Sequence, residues 1–169
     1  MSLQNGRYTA SKAPHVANGW SLEPLTPPSR LYGANGLRTG PDGRIYVAQV
    51  AGSQISALDV ATGAIETITA MGSDVGAPDD TAFDAQGNLY ITEYYDGRVS
   101  VRETSGKTRV LRDDVPGANG ITVHKDRLFV DECRPWFSRQ RARLGRSRRG
   151  RTDRHHRQRS GLALSASQE

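Results

Sequence analysis

The sequence predicts an all-β chain: a partial β-propeller of about two and a half blades, followed by an irregular, Arg-rich C-terminal tail. Three observations predict this fold. A repeat recurs at 44 residues, each copy has the same order of strand-like runs and glycine turns, and the composition changes abruptly at Arg134. Residues 35–69 lie in register over residues 79–112. Gly43 falls on Gly87, Ile45 on Leu89, Tyr46 on Tyr90 and Ile55 on Val99, each 44 apart. A third copy opens at Asn119, 40 residues after Asp79, and breaks off after two strand-like runs. Four strands at a period of about 40–45 residues are the mark of propeller blades. A β-sandwich also has regularly spaced turns, but it does not require matched glycines and matched strand types at one register.

Each element of the copy has a local reason. Gly43 and Gly87 sit in the polar turns PDGR and AQGN, as tight hairpins need. The runs after them, IYVAQ and LYITE, are β-branched and aromatic. QISAL and RVSVR follow, with apolar and polar residues alternating as in a half-buried strand. A second glycine turn (ATGA, TSGK) leads into IETIT and TRVL. A short strand ahead of each first turn makes four. Tyr46 and Tyr90 recur at the repeat period and are read as packing residues. Residues 1–30 differ: Pro24, Pro27 and Pro28 exclude a helix and leave an extended lead-in or edge strand. The blades span 31–133.

Charge divides the chain at the same place. Residues 1–133 carry 12 Lys/Arg against 16 Asp/Glu, a net of −4. Residues 134–169 carry 11 Arg and two acids, a net of +9. The overall +5 therefore describes the tail, and the body is not a nucleic-acid-binding domain. The tail admits two readings: GC-rich DNA read out of frame, which yields Arg, Gly, Ser and Ala, or a phosphate-binding arm. It lacks the interleaved aromatics that stacking on bases would need, so specific nucleic-acid binding is not expected. His155 and His156 have no Cys or acidic partners there and do not make a zinc site. His15 has no visible partner, and His124 is expected to be exposed in a turn. The single Cys133 excludes an intrachain disulfide framework and, flanked by Asp131 and Glu132, is no activated nucleophile. With no apolar leader and no run of 18 apolar residues, the chain is expected in the cytoplasm and off the membrane.

The segments NGLRTGPDGRIYVAQ, APDDTAFDAQGNLYITE, DGRVSV and PGANGITVHKDRLFVDECR resemble the regucalcin (senescence marker protein)/gluconolactonase family, which includes luciferin-regenerating enzymes. The resemblance covers residues 31–134. It implies a six-bladed propeller and a small-molecule lactone or sugar-derived substrate. It also implies a divalent cation, most often calcium, with magnesium, manganese or zinc as substitutes. The family holds its cation with a Glu, an Asn and an Asp from different blades. Asn119, in Gly-Ala-Asn-Gly, matches the Asn ligand. Asn35 stands where the family has its Glu, so an amide replaces a carboxylate. The family's Asp ligand belongs to a later blade. Asp79 and Asp80 match a substrate-contacting Asn-Asp pair, with Asp80 as the candidate general base. The resemblance thus implies a metal-dependent lactone hydrolase, and the partial ligand set implies that this chain holds the cation weakly and lacks turnover.

The residues alone support a convergent site. Asn35, Asp79 and Asn119 share one register of three successive copies, so a propeller would bring them to one end of neighbouring blades. The alternative is turn chemistry, because Asn or Asp before Gly caps turns through its own backbone. Two function classes follow: a metal-assisted lactonase, or a propeller piece that binds without catalysing. The oligomeric state is left open.

Overall fold

A computed structural model of the chain describes residues 15–27, 31–133 and the backbone of Leu162–Ser165. The first sheet is β1 (Ala34–Thr39), β2 (Ile45–Gln49), β3 (Gln54–Leu58) and β4 (Ile65–Thr69), paired in chain order. The second is β5 (Pro78–Phe83), β6 (Leu89–Glu93), β7 (Arg98–Arg102) and β8 (Thr108–Arg112), in the same order. A third contains β9 (Ala118–His124), β10 (Arg127–Glu132) and β11 (Leu162–Ser165), in the order β11-β10-β9. All neighbours are antiparallel. The strands fall on the runs that the repeat marks out. No helix among the described residues is long and apolar enough to cross a membrane.

The turns explain the regularity. Gly43 and Gly87 have φ of 79° and 87°, a region that L side chains resist, and each donates its N–H back across the turn, to Gly40 and Asp84. The β9–β10 hairpin uses a tighter two-residue turn without glycine, with Lys125 and Asp126 both at positive φ. His124 ends β9 and is exposed, as expected.

The core lies between the sheets. Tyr46, Ile55 and Ala57 of the first blade meet Val75, Leu89 and Ile91 of the second, and Tyr46 stands edge-on to Phe83 with ring centroids 4.9 Å apart. Ala82 and Val99 meet Val115, Ala118, Ile121, Leu128 and Val130 across the next interface, with Tyr90 packed against them. Tyr46 and Tyr90 are thus packing residues, and their hydroxyls bond Asp42 and Asp84 of the adjacent turns. Burying apolar surface between blades is what stabilises a stacked repeat.

Two details of the ends complete the fold. Residues 15–27 form turns and bends but no strand, so this part of the lead-in is not an edge strand. Within the tail one short strand is described. β11 pairs with β10, with Val130 opposite Leu162 and Arg127 opposite Ser165, in the place that β3 and β7 occupy in the first two sheets. The outer edge of β10 presents backbone donors and acceptors, and a strand there satisfies them whatever its origin in the chain. The rest of the tail, with His155 and His156, lies outside the described residues.

Candidate functional site

The three candidate residues owe their position to one backbone device used three times. In β1, Ala34 pairs with Gln49 and Leu37 with Val47, so Asn35 and Gly36 face a single residue of β2. In β5, Pro78 pairs with Glu93 and Thr81 with Ile91, leaving Asp79 and Asp80 in the same place. In β9, Ala118 pairs with Glu132 and Ile121 with Val130, leaving Asn119 and Gly120. Two residues opposite one is a β-bulge, which bends the strand and re-aims a side chain. The residue before each bulge strand turns at positive φ: Gly33 at 61°, Ala77 at 41° and Gly117 at 69°.

The bulges bring Asn35, Asp79 and Asn119 to one hollow of about 430 Å³, lined also by Gly33, Ala34, Val50, Tyr94 and Tyr95. Asn35 Nδ2 donates to Asp79 Oδ1 over 2.7 Å across the gap between the first two blades. Asp79 is 5% exposed. Burial, and then the neighbouring Asp80 carboxylate, push its carboxyl above the usual aspartate range, and the Asn35 bond opposes them. Cys133, at the end of β10, lies against Tyr94 and raises the Tyr94 phenol above its ordinary value.

Asp80 is turned elsewhere. Its Oδ1 accepts from the Thr81 N–H at 2.8 Å, and its Oδ2 accepts from the Ile121 N–H at 3.1 Å and from Arg38 Nη2 at 3.4 Å. Arg38 also donates to the carbonyls of Thr81 and Ile121. Asp80 therefore ties three blades together beneath the hollow and does not line it. Gly36 makes this closeness feasible: a Cβ there would fall 2.6 Å from Asp80 Cα and 2.8 Å from the Asp79 carbonyl oxygen. At the matching Gly120 a Cβ would meet nothing within 4 Å.

A second device, not read from the sequence, frames the hollow. Gln49 and Glu93 are both fully buried at equivalent positions. Gln49 Oε1 accepts from the Tyr32 N–H at 2.8 Å and from Gln54 Nε2 at 3.2 Å, while its Nε2 donates to Ser56 Oγ at 2.9 Å. Glu93 Oε2 accepts from the Gly76 N–H and from Arg98 Nη2, both at 2.6 Å, and its Oε1 accepts from Ser100 Oγ. Tyr32, Gln49, Gln54 and Ser56 are each 44 residues before Gly76, Glu93, Arg98 and Ser100. The recurrence of Gln/Glu and Ser at this spacing was the available signal. The latch pins the segment entering each blade to its second and third strands.

The oxygen donors at the hollow are one carboxylate and two amides, and the Asn35 amide already turns its nitrogen to Asp79. Among the described residues no group of three His, Cys, Asp or Glu side chains could hold a metal. Calcium takes six to eight oxygens, so these three side chains furnish one side of a cation site and do not close it.

No family model and no curated protein matches the chain. Solved structures do. Virginiamycin B lyase of Staphylococcus aureus aligns with a TM-score of 0.53 and 22% identity over 63% of this chain and 36% of the lyase. A nidogen/laminin complex aligns at 0.53 and 23%, over 60% of this chain and 40% of the other. The gluconolactonase XC5397 of Xanthomonas campestris aligns at 0.51 and 15%, over 60% and 37%. The chain thus spans less than half the length of each of these proteins. It is similar in structure to a gluconolactonase, the kind of protein its sequence resembles, and the likeness to these propellers gives it the β-propeller fold.

Proposed function

We propose that the hollow is the binding end of a small-molecule propeller of the lactonase type. Asn35, Asp79 and Asn119 face a hydroxylated ligand of the lactone or sugar class and contribute to a divalent cation site. The single observation that supports this is the convergence of three equivalent bulge residues on one hollow, with the Asn35–Asp79 bond at 2.7 Å. Turn capping accounts for an Asn before Gly in one loop, but not for three such side chains lining a shared space. A bound divalent cation would act as a Lewis acid toward a carbonyl oxygen. Asp79 supplies the one anionic oxygen, and the two amides supply neutral ones and orient hydroxyl groups. Asp80 is a positioning residue: it fixes Thr81 and Ile121, and through them the bulges that carry Asp79 and Asn119.

Within this reading the chain binds but does not catalyse, because one carboxylate and two amides leave a hard cation undercoordinated. Calcium titration of residues 1–169, followed by a lactone hydrolysis assay, tests both parts. Saturable calcium binding is expected at about 1 mM or weaker. It should be lost in Asn119→Ala and Asp79→Asn, with no hydrolysis above background. Calcium binding indifferent to both substitutions would overturn the site, and metal-dependent turnover would overturn the second part.

A further inference from the structure

The repeat separates what the fold requires from what has been added to it. The β6–β7 loop begins Tyr94-Tyr95, and the matching positions of the first blade are Val50 and Ala51. Both loops make the same turn at the same end of their blades, so the fold does not call for aromatic residues there. Tyr95 is nonetheless 75% exposed, a large ring held mostly in water. Its ring stands edge-on to Tyr94, with centroids 5.3 Å apart. The pair lines two spaces at once. One is the hollow of Asn35, Asp79 and Asn119. The other, of about 520 Å³, is lined by Tyr94, Tyr95, Asp96, Gly97, Asp113, Pro116 and Gly117.

The floor of this outer hollow is built. Val115 N–H donates to the Gly97 carbonyl at 3.0 Å, and a Cβ on Gly97 would fall 3.3 Å from Pro116 Cα. Asp96 accepts from Arg98 at 2.8 Å, which fixes its carboxylate. Among the described residues, the lining of the two hollows includes Asp79, Asp96 and Asp113 and no Lys, Arg or His. A phosphorylated or carboxylated ligand would face these carboxylates and be repelled. A neutral sugar fits each feature. Its C–H face can lie against an exposed tyrosine ring, and its hydroxyls can donate to carboxylates and amides.

We propose that Tyr94 and Tyr95 divide the site into two sugar subsites, so that the ligand is an uncharged molecule of at least two sugar units. The inner hollow takes one unit and the outer hollow the next. This rests on the inner hollow binding a hydroxylated ring, as read above.

Binding of glucose, cellobiose, maltose, lactose, glucose 6-phosphate and choline to residues 1–169 is measured by NMR titration. At least one disaccharide should bind about tenfold more tightly than glucose, a ratio equal to roughly 1.4 kcal/mol. Tyr95→Ala should erase that advantage by costing the disaccharide more than it costs glucose, while Tyr95→Phe keeps it. Asp113→Asn should weaken the disaccharide alone. Because Tyr95 and Asp113 are exposed, unchanged melting of the variants confirms that the fold is intact. Two results would overturn the proposal: no disaccharide exceeding glucose by more than about twofold, or equal loss of both in Tyr95→Ala. Tightest binding by the phosphate or by choline would overturn the ligand class. A disaccharide held through Tyr95 with glucose silent would overturn the inner-hollow reading and support the outer subsite, and silence from every sugar would overturn both.

Discussion

Gln49 and Glu93 hold the same place in successive blades, both fully buried, and each accepts the backbone N–H that leads into its blade. One network is neutral, closed by Gln54, and the other is charged, closed by Arg98 at 2.6 Å from Glu93. The first blade is therefore an internal control for the second.

Glu93→Gln alone removes one of the two carboxylate partners of a largely covered guanidinium, the other being Asp96, and should destabilise the chain by roughly 1–3 kcal/mol. Arg98→Gln alone leaves a carboxylate buried without its cation and should cost at least as much. The double variant Glu93→Gln/Arg98→Gln rebuilds the first blade's network and should recover most of the loss. Urea unfolding of the four proteins gives the coupling directly. Simple addition of the two single losses would show that the networks are not interchangeable.

Backbone geometry makes opposite predictions at two sites. Ala77 turns at φ 41° where the other blades place Gly33 and Gly117. The left-handed region costs a residue with a Cβ about 1–2 kcal/mol, against about 0.5–1 kcal/mol of extra chain entropy for glycine. Ala77→Gly should therefore raise stability slightly, seen as a higher midpoint of denaturation. Gly36→Ala should lower it by about 1–3 kcal/mol, because the new methyl meets backbone of Asp79 and Asp80 as well as the Asp80 carboxylate, and the backbone cannot swing aside. The same change at Gly120, where a Cβ has open space, should be near neutral.

Asp79 gives the pH dependence its sign. Burial raises its carboxyl above the unfolded value, so the native chain holds more protons than the unfolded chain in the window between the two. Its contribution is fully present below the ordinary aspartate range and is lost as pH rises through the raised value. Asp79→Asn keeps an oxygen for Asn35, should raise the melting temperature at pH 7, and should flatten the decline above pH 4. Calcium binding should show the reverse slope in the parent, strengthening as Asp79 ionises. A variant with an unchanged pH profile would show that Asp79 is not the group responsible.

The blades were legible because their signals are local. Gly43 and Gly87 mark turns, and the β-branched and aromatic runs IYVAQ and LYITE mark core strands that repeat at 44 residues. The register of Asn35, Asp79 and Asn119 was legible for the same reason, although the bulges that aim them depend on pairing with β2, β6 and β10 and leave no local mark. Asp80 could not be placed from sequence. Its partners Arg38 and Ile121 are 42 and 41 residues away, and only the packing of three blades shows that its carboxylate is engaged there. β11 was illegible because four residues in an Arg-rich context carry no period, and the free edge of β10 supplies the reason for a strand.

The most direct test of the convergent site is to follow the side-chain amide signals of Asn35 and Asn119 by NMR while calcium and a neutral sugar are titrated into residues 1–169. These two side chains belong to different blades and are 84 positions apart. The account predicts that both signals move together, with one shared dissociation constant, and that Asp79→Asn abolishes both responses to calcium. Movement of one without the other, or of neither while binding is seen elsewhere, would contradict it.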